Sequence, residues 1–177
     1  SPPYVTSYEY ADLHQLSSLW LDFTNDYREL REGTIGSLYH NSNFKKDINN
    51  LNEVGENIVF ELYDVDKSKA KSAAKYFIDM QRSALKAFEM LNPGGMALFV
   101  IGNTEYKTVK IDNAKHLFQS MESVGFRNIE VSRRKIKTKI LTPYRDKKGK
   151  FTTDSNSRKV YAEEFIITGK KNENQFR

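Results

Sequence analysis

The stretch Asn92–Gly102 reads NPGGMALFVIG and decides the fold class. Its first four residues combine a proline with two glycines, a combination that ends a preceding helix sharply. The apolar run that follows, Met96–Gly102, is typical of a strand buried on both faces. A buried strand directly after a helix stop indicates an α/β protein.

The segment before this strand predicts a long helix that begins at Asp66. Small and apolar residues recur along it at near-heptad spacing with one polar member, namely Ala70, Ala74, Phe77, Gln81, Ala84, Phe88 and Leu91. Further upstream, apolar residues at spacings of three and four predict an amphipathic helix over Ser7–Phe23. Residues 26–32 predict a short second helix, which Gly33 ends.

The segment after the strand predicts one more helix and two strands. Asp112 can cap the helix and Gly125 can end it. Strands over 128–136 and 161–168 have no helix between them, so they can pair antiparallel across a basic turn.

These elements predict a single domain over residues 1–177. Because strands otherwise alternate with helices, we expect a mostly parallel sheet covered on both faces. Residues 34–57 are rich in Asn, Ser and Gly and are expected to form a long, mobile loop. Residues 58–63 fit either a strand or the edge of a helix.

The bulk composition excludes several classes of protein. The chain has 177 residues, a net charge of +5 and no cysteine, which rules out disulfides and thiolate metal sites. The three histidines lack the spacing of metal ligands, so no metal is expected. The first ten residues do not resemble a signal peptide, and no apolar run reaches the roughly 20 residues of a membrane span. We therefore expect a cytoplasmic protein without a membrane partner.

Positive charge concentrates in residues 133–150, which carry nine Lys or Arg and one Asp. If this segment begins as a strand, alternation places four cations on one face: Arg133, Lys135, Lys137 and Lys139. Such a row can bind the phosphates of DNA. A solvated edge strand, on which lysines prevent unwanted pairing, explains the same pattern.

The first four residues, Ser1-Pro2-Pro3-Tyr4, have side chains suited to an aromatic amine. An exocyclic base amine is a poor nucleophile and needs acceptors for its two N–H groups, which a Ser hydroxyl and a Pro carbonyl can provide. Two prolines stiffen the loop so that its carbonyls stay aimed. A following Tyr ring can stack on an extruded base. A proline-rich loop without catalytic function is the alternative.

This tetrapeptide resembles the catalytic motif of S-adenosylmethionine-dependent DNA amino-methyltransferases, which methylate cytosine-N4 or adenine-N6. The helical segments YEYADLHQLSSLWL and RELREGTIGS, the NPGG turn, VIGN, the Gly-Phe after the next helix and the closing YAEEFIITGKK are also similar to this family. The resemblance implies DNA methylation, with cytosine-N4 favoured by the Ser form. It assigns Ser1 and Pro2 to orienting the amine, Pro3 to rigidity and Tyr4 to stacking, with Ser1 also near the cofactor.

The family's aromatic-x-Gly-x-Gly cofactor turn is absent from this sequence. The resemblance therefore implies the C-terminal part of a Rossmann-like methyltransferase sheet. The N-terminal half of the catalytic domain, on the same or a separate chain, would bind most of the S-adenosylmethionine. This part alone is expected to be inactive.

Three further residues are candidates for the site. Asn103 follows the buried strand, where open α/β sheets bind their ligands, and can line the cofactor cleft. Tyr8, with Tyr10 and Trp20, can line a base pocket, although such aromatic residues more often belong to the core. Two other functions remain open: an RNA amino-methyltransferase of the guanine-N2 type, and a non-catalytic DNA-binding or assembly half of a split enzyme.

Overall fold

A computed structural model of the chain describes residues 1–5, 10–26, 28–37, 43–136, 144–146, 150–159 and 163–172. Its helices are α1 (Tyr10–Trp20), a 3₁₀ turn (Glu29–Arg31), α2 (Phe44–Ile48), α3 (Glu53–Val65), α4 (Lys67–Met90) and α5 (Asn113–Val124). Its strands are β1 (Met96–Ile101), β2 (Thr104–Tyr106), β3 (Val109–Ile111), β4 (Arg127–Lys135), β5 (Tyr144–Arg145), β6 (Phe151–Thr152), β7 (Arg158–Lys159) and β8 (Glu163–Lys170).

The main sheet has the strand order β1–β8–β4, and β8 runs antiparallel to both neighbours. The expectation of antiparallel closing strands is confirmed by the β4–β8 pair. The expectation of a mostly parallel sheet is wrong for the described residues, since every strand pair there is antiparallel. β1 and β4 do run parallel to each other, but β8 returns between them and takes up their hydrogen bonds.

Helix boundaries follow from side-chain caps that the sequence makes visible. Asp66 accepts hydrogen bonds from the backbone N–H groups of Ser68 and Lys69 and so begins α4. Asp112 does the same for Lys115 at the start of α5. Gly125, with a φ of 111°, ends α5 in the left-handed conformation that glycine adopts without strain. The predicted positions of these two helices are therefore confirmed.

The core lies between the helices and one face of the main sheet. Helices α3, α4 and α5 pack together there, and Ile101 and Ile167 contribute from the strands. Small residues allow the close approach that the stripe on α4 predicts, because Ala70, Ala74 and Ala84 are all fully buried.

The opposite face of the main sheet is uncovered within the described part of the chain. Met96 and Leu98 on β1 are each 55% exposed, whereas Ile101 is buried. The prediction that this strand is buried on both faces is therefore wrong.

The amino-terminal third also differs from expectation. α2 and the first turn of α3 lie within residues 34–57, so the predicted loop is partly helical, and residues 58–63 belong to α3. The predicted first helix is present as α1, but its apolar side is exposed: Leu16 is 78% and Trp20 82% accessible. Trp20 therefore contributes neither to the core nor to an enclosed pocket among the described residues.

Lys171, which follows β8, connects the main sheet to the carboxyl end of α4 through hydrogen bonds. Its Nζ donates to the carbonyl oxygens of Phe88 and Leu91, both at 2.9 Å, and the residue is 5% exposed. A cation at the carboxyl end of a helix is favoured by the helix dipole.

None of the described helices is both long and apolar enough to cross a membrane.

Candidate functional site

The Ser1–Tyr4 loop lies beside the carboxyl end of β1. The Ser1 hydroxyl donates to the carbonyl oxygen of Val100 at 3.1 Å. The Pro3 carbonyl accepts from the hydroxyl of Tyr76 on α4 at 2.9 Å. The loop thus bridges the sheet and the long helix α4 at the carboxyl end of β1.

Tyr4 is fixed at both its ring and its hydroxyl. The ring packs on Gly102, where an added Cβ would come within 2.8 Å of it. The hydroxyl donates to Glu164 Oε1 at 3.1 Å, and Glu164 also forms an ion pair with Arg134 of β4. These contacts hold the ring at the end of β1, next to the basic end of β4.

Two acceptors of the loop remain available for a ligand. A hydroxyl that donates its hydrogen to Val100 still has oxygen lone pairs, so Ser1 Oγ can accept. Among the described residues, no donor is hydrogen-bonded to the Pro2 carbonyl, whereas the neighbouring Pro3 carbonyl is bonded to Tyr76. Within the described part of the chain, the loop therefore offers one hydroxyl oxygen and one carbonyl oxygen as hydrogen-bond acceptors.

The side chain of Asn103 is hydrogen-bonded to the start of α5. Its Nδ2 donates to Asp112 Oδ1 at 2.9 Å, and its Oδ1 accepts from the backbone N–H of Ala114 at 3.0 Å. The neighbouring Asn113 is buried and donates to the carbonyl of Gly102 at 2.9 Å. Both amides fix the end of β1, and a role for Asn103 in cofactor binding stays a prediction.

The basic strand is β4, which forms the edge of the main sheet opposite to β1. Arg133 and Lys135 are exposed on it, and Arg133 lies 3.5 Å from Glu163 of β8. Acidic residues of β8 thus partly neutralise the cationic row. Lys137 and Lys139 lie outside the described residues, so the predicted row of four is described only in its first half.

Tyr8 and Trp20 are two further aromatic residues predicted to line a base pocket. Tyr8 lies outside the described residues, and α1 begins two positions later at Tyr10. The exposed Trp20 stands at the end of α1. The assignment of Tyr8 to nucleic-acid binding remains a prediction.

Sequence reasoning missed the residues that anchor the loop from a distance. Tyr76 is 73 positions from its partner Pro3, and Glu164 is 160 positions from Tyr4. Tyr76 falls outside the apolar stripe that defines α4. A single sequence carries no local signal for such pairs, because they arise when the sheet and the helix come together.

No known family model matches the chain, and no curated protein or solved structure is significantly similar to it.

Proposed function

We propose that this chain is the amine-binding part of an S-adenosylmethionine-dependent DNA methyltransferase that acts on an exocyclic base amine, with cytosine-N4 favoured over adenine-N6. The observation that carries the proposal is the pair of acceptors at the carboxyl end of β1, Ser1 Oγ and the Pro2 carbonyl. Both belong to a loop that is anchored on each side. Rigid acceptors of this kind can orient an amine without forming a covalent bond to it.

In this proposal the amine donates one hydrogen to Ser1 Oγ and the other to the Pro2 carbonyl. The hydroxyl hydrogen of Ser1 is already engaged with Val100, so its oxygen faces the amine as an acceptor. Tyr4 presents a ring whose position is fixed by Gly102 and Glu164, which suits stacking on an extruded base.

The described residues do not form a cradle for S-adenosylmethionine. Asn103 is engaged at the start of α5, and the glycines before β1 precede a strand instead of following one. Bound cofactor would supply the methyl group, but we assign its binding to a partner half carrying the Gly-rich turn. We assign no step of the transfer to residues of this chain beyond orienting the amine.

The geometry of β1 supports the existence of such a partner half. Lys171 N–H donates to Gly95 O, so alternate residues from Gly95 face β8. Met96, Leu98 and Val100 then direct their backbone groups to the other edge, which carries no strand among the described residues. A strand added there would lie next to Ser1 and extend the sheet toward a Rossmann-like arrangement.

The test is a methyl-transfer assay on this chain combined with a polypeptide that carries the aromatic-x-Gly-x-Gly turn. Labelled methyl groups are followed into DNA and RNA, and the modified nucleoside is identified by mass spectrometry. N4-methylcytosine or N6-methyladenine in DNA supports the proposal, and N2-methylguanine in RNA supports the alternative substrate. DNA binding without any methylated base would make the chain a non-catalytic half.

Single substitutions then test the acceptor pair. Ser1→Ala should lower turnover with little change in DNA affinity, because in this proposal the Ser1 hydroxyl anchors the loop and orients the amine but does not bind the phosphates. Tyr4→Ala should lower turnover more than Tyr4→Phe, which keeps the ring. His14→Ala, at an exposed position on α1, is the matched control. Full activity of both Ser1→Ala and Tyr4→Ala would refute the assignment.

A further inference from the structure

Tyr76 is a buried residue that no sequence pattern connects with the site. It is 3% exposed on α4, and its hydroxyl donates to the Pro3 carbonyl at 2.9 Å. Its Cβ lies so close to Gly36 that a side chain there would come within 3.2 Å of it. The ring also meets that of Phe77 edge-to-face, with 5.5 Å between centroids. The hydroxyl is therefore held in one place by packing on several sides.

Burial raises the pKa of the Tyr76 phenol, with the nearby Tyr4 contributing in the same direction. The group therefore stays protonated and remains a hydrogen-bond donor at physiological pH. A donor that cannot leave its position keeps the Pro3 carbonyl turned toward α4. That carbonyl is then withdrawn from any ligand on the other side of the loop.

Pro2 lies between the two anchored residues of the loop. Ser1 is tied to β1 through Val100, and Pro3 is tied to α4 through Tyr76. The pyrrolidine ring fixes φ of Pro3, so fixing its carbonyl removes the main remaining backbone freedom at that residue. The Pro2 carbonyl lies between these anchors, which restrict its orientation from both sides, and no donor in the described part of the chain is hydrogen-bonded to it.

We infer that Tyr76 is a positioning residue for amine methylation. Its hydroxyl holds Pro3 in place, so that the Pro2 carbonyl is presented to the amine. The inference rests on the proposed function. Tyr76 does not touch the base; it acts through the loop. The two prolines then have different roles: the carbonyl of Pro3 binds the protein, and the carbonyl of Pro2 binds the substrate.

The experiment uses Tyr76→Phe in the assembled enzyme, because this change removes the hydroxyl and keeps the packing of the ring. Tyr106→Phe is the matched control: its hydroxyl donates to Asp66, the residue that caps the start of α4, at 2.7 Å. We expect kcat of Tyr76→Phe to fall about tenfold, which corresponds to about 1.4 kcal/mol, with KM for DNA unchanged within about twofold. The control should keep its kcat.

A second measurement needs no activity. With ¹³C-carbonyl proline in this chain, Tyr76→Phe should shift the Pro3 carbonyl resonance, and Tyr106→Phe should leave it in place. Wild-type kcat in Tyr76→Phe, or an unmoved Pro3 resonance, would overturn the inference while the proposed function stands. An assembled wild-type enzyme that methylates no nucleic acid would overturn both.

Discussion

The buried imidazole of His116 should make the stability of this protein depend on pH in the mildly acidic range. His116 is 1% exposed on α5, and its ring lies 4.3 Å from that of Phe77, centroid to centroid. Its Nε2 is buried without a hydrogen-bond partner among the described residues, on the side of the ring that meets Gly55. Burial lowers the pKa of His116 from 6.5 to about 3.

The sign and size of the effect follow from linkage. Between pH 6.5 and about 3 the unfolded chain binds a proton at this site and the folded chain does not, so acid favours unfolding. The stabilisation is fully present above pH 6.5 and is lost as the pH falls. The two pKa values give a loss of about 2 kcal/mol between pH 7 and pH 5 and of about 3 kcal/mol by pH 4.

Chemical denaturation at a series of pH values measures this directly. His116→Leu should flatten the profile between pH 7 and pH 5 by about 2 kcal/mol relative to the wild type, whatever its effect at pH 7. His14→Leu, at an exposed histidine, should keep the wild-type slope. The carboxylates contribute equally to all three proteins. Parallel profiles for wild type and His116→Leu would show that His116 is not held neutral, and the reasoning would be wrong.

Four further predictions test other contacts. Gly102→Ala should displace the Tyr4 ring, seen by NMR, lower methyl transfer and cost about 1 to 3 kcal/mol of stability, because the added Cβ would come within 2.8 Å of that ring. An unmoved Tyr4 would contradict the packing. Lys171→Met should lower the free energy of unfolding by about 2 kcal/mol, since two carbonyls of α4 lose their donor; urea titration measures it. Asn52→Ala should lower the free energy of unfolding by about 2 kcal/mol, because Asn52 caps α3 and also donates to His116 O and Ser120 Oγ. Asn43→Ala removes only the cap of the short α2 and should cost under about 1 kcal/mol in the same assay. Neutralising Arg133 and Lys135 together should flatten the plot of log DNA affinity against log salt by about one to two units, and an unchanged slope would assign this edge to solvent.

Local patterns predicted the elements whose signals are local. The helix that begins after Asp66 and the one that ends at Gly125 were both predictable, because a cap or a left-handed glycine acts within a few residues. The β2–β3 hairpin was missed, since its three-residue strands are too short to show alternation. The prediction of a mostly parallel sheet was wrong because strand order depends on where β8 returns, and no local pattern encodes that position.

The candidate site was predicted from its residue types, and the structure adds where those residues lie in the fold. The motif Ser1–Tyr4 marks a stiff loop with acceptors, and the structure positions that loop at the end of β1. The anchors Tyr76 and Glu164 were not predictable, since each is defined by a contact over a long sequence separation. Asn103 is a different case: its place after a strand suggested a ligand, its amide is hydrogen-bonded to Asp112 and Ala114, and a role in cofactor binding stays a prediction.

The uncovered sheet face and the candidate site belong to the same side of the molecule. Alternation along β1 places Leu98 and Gly102 on one face, and the register with β8 and β4 places Glu164 and Arg134 there too. Tyr4 reaches Glu164 on that face. Under the proposed function, a partner strand at the outer edge of β1 would complete the sheet without covering Glu164. Under that function a cover lying across Leu98 must stop short of Tyr4, because a base that stacks on the Tyr4 ring has to reach it from the same face.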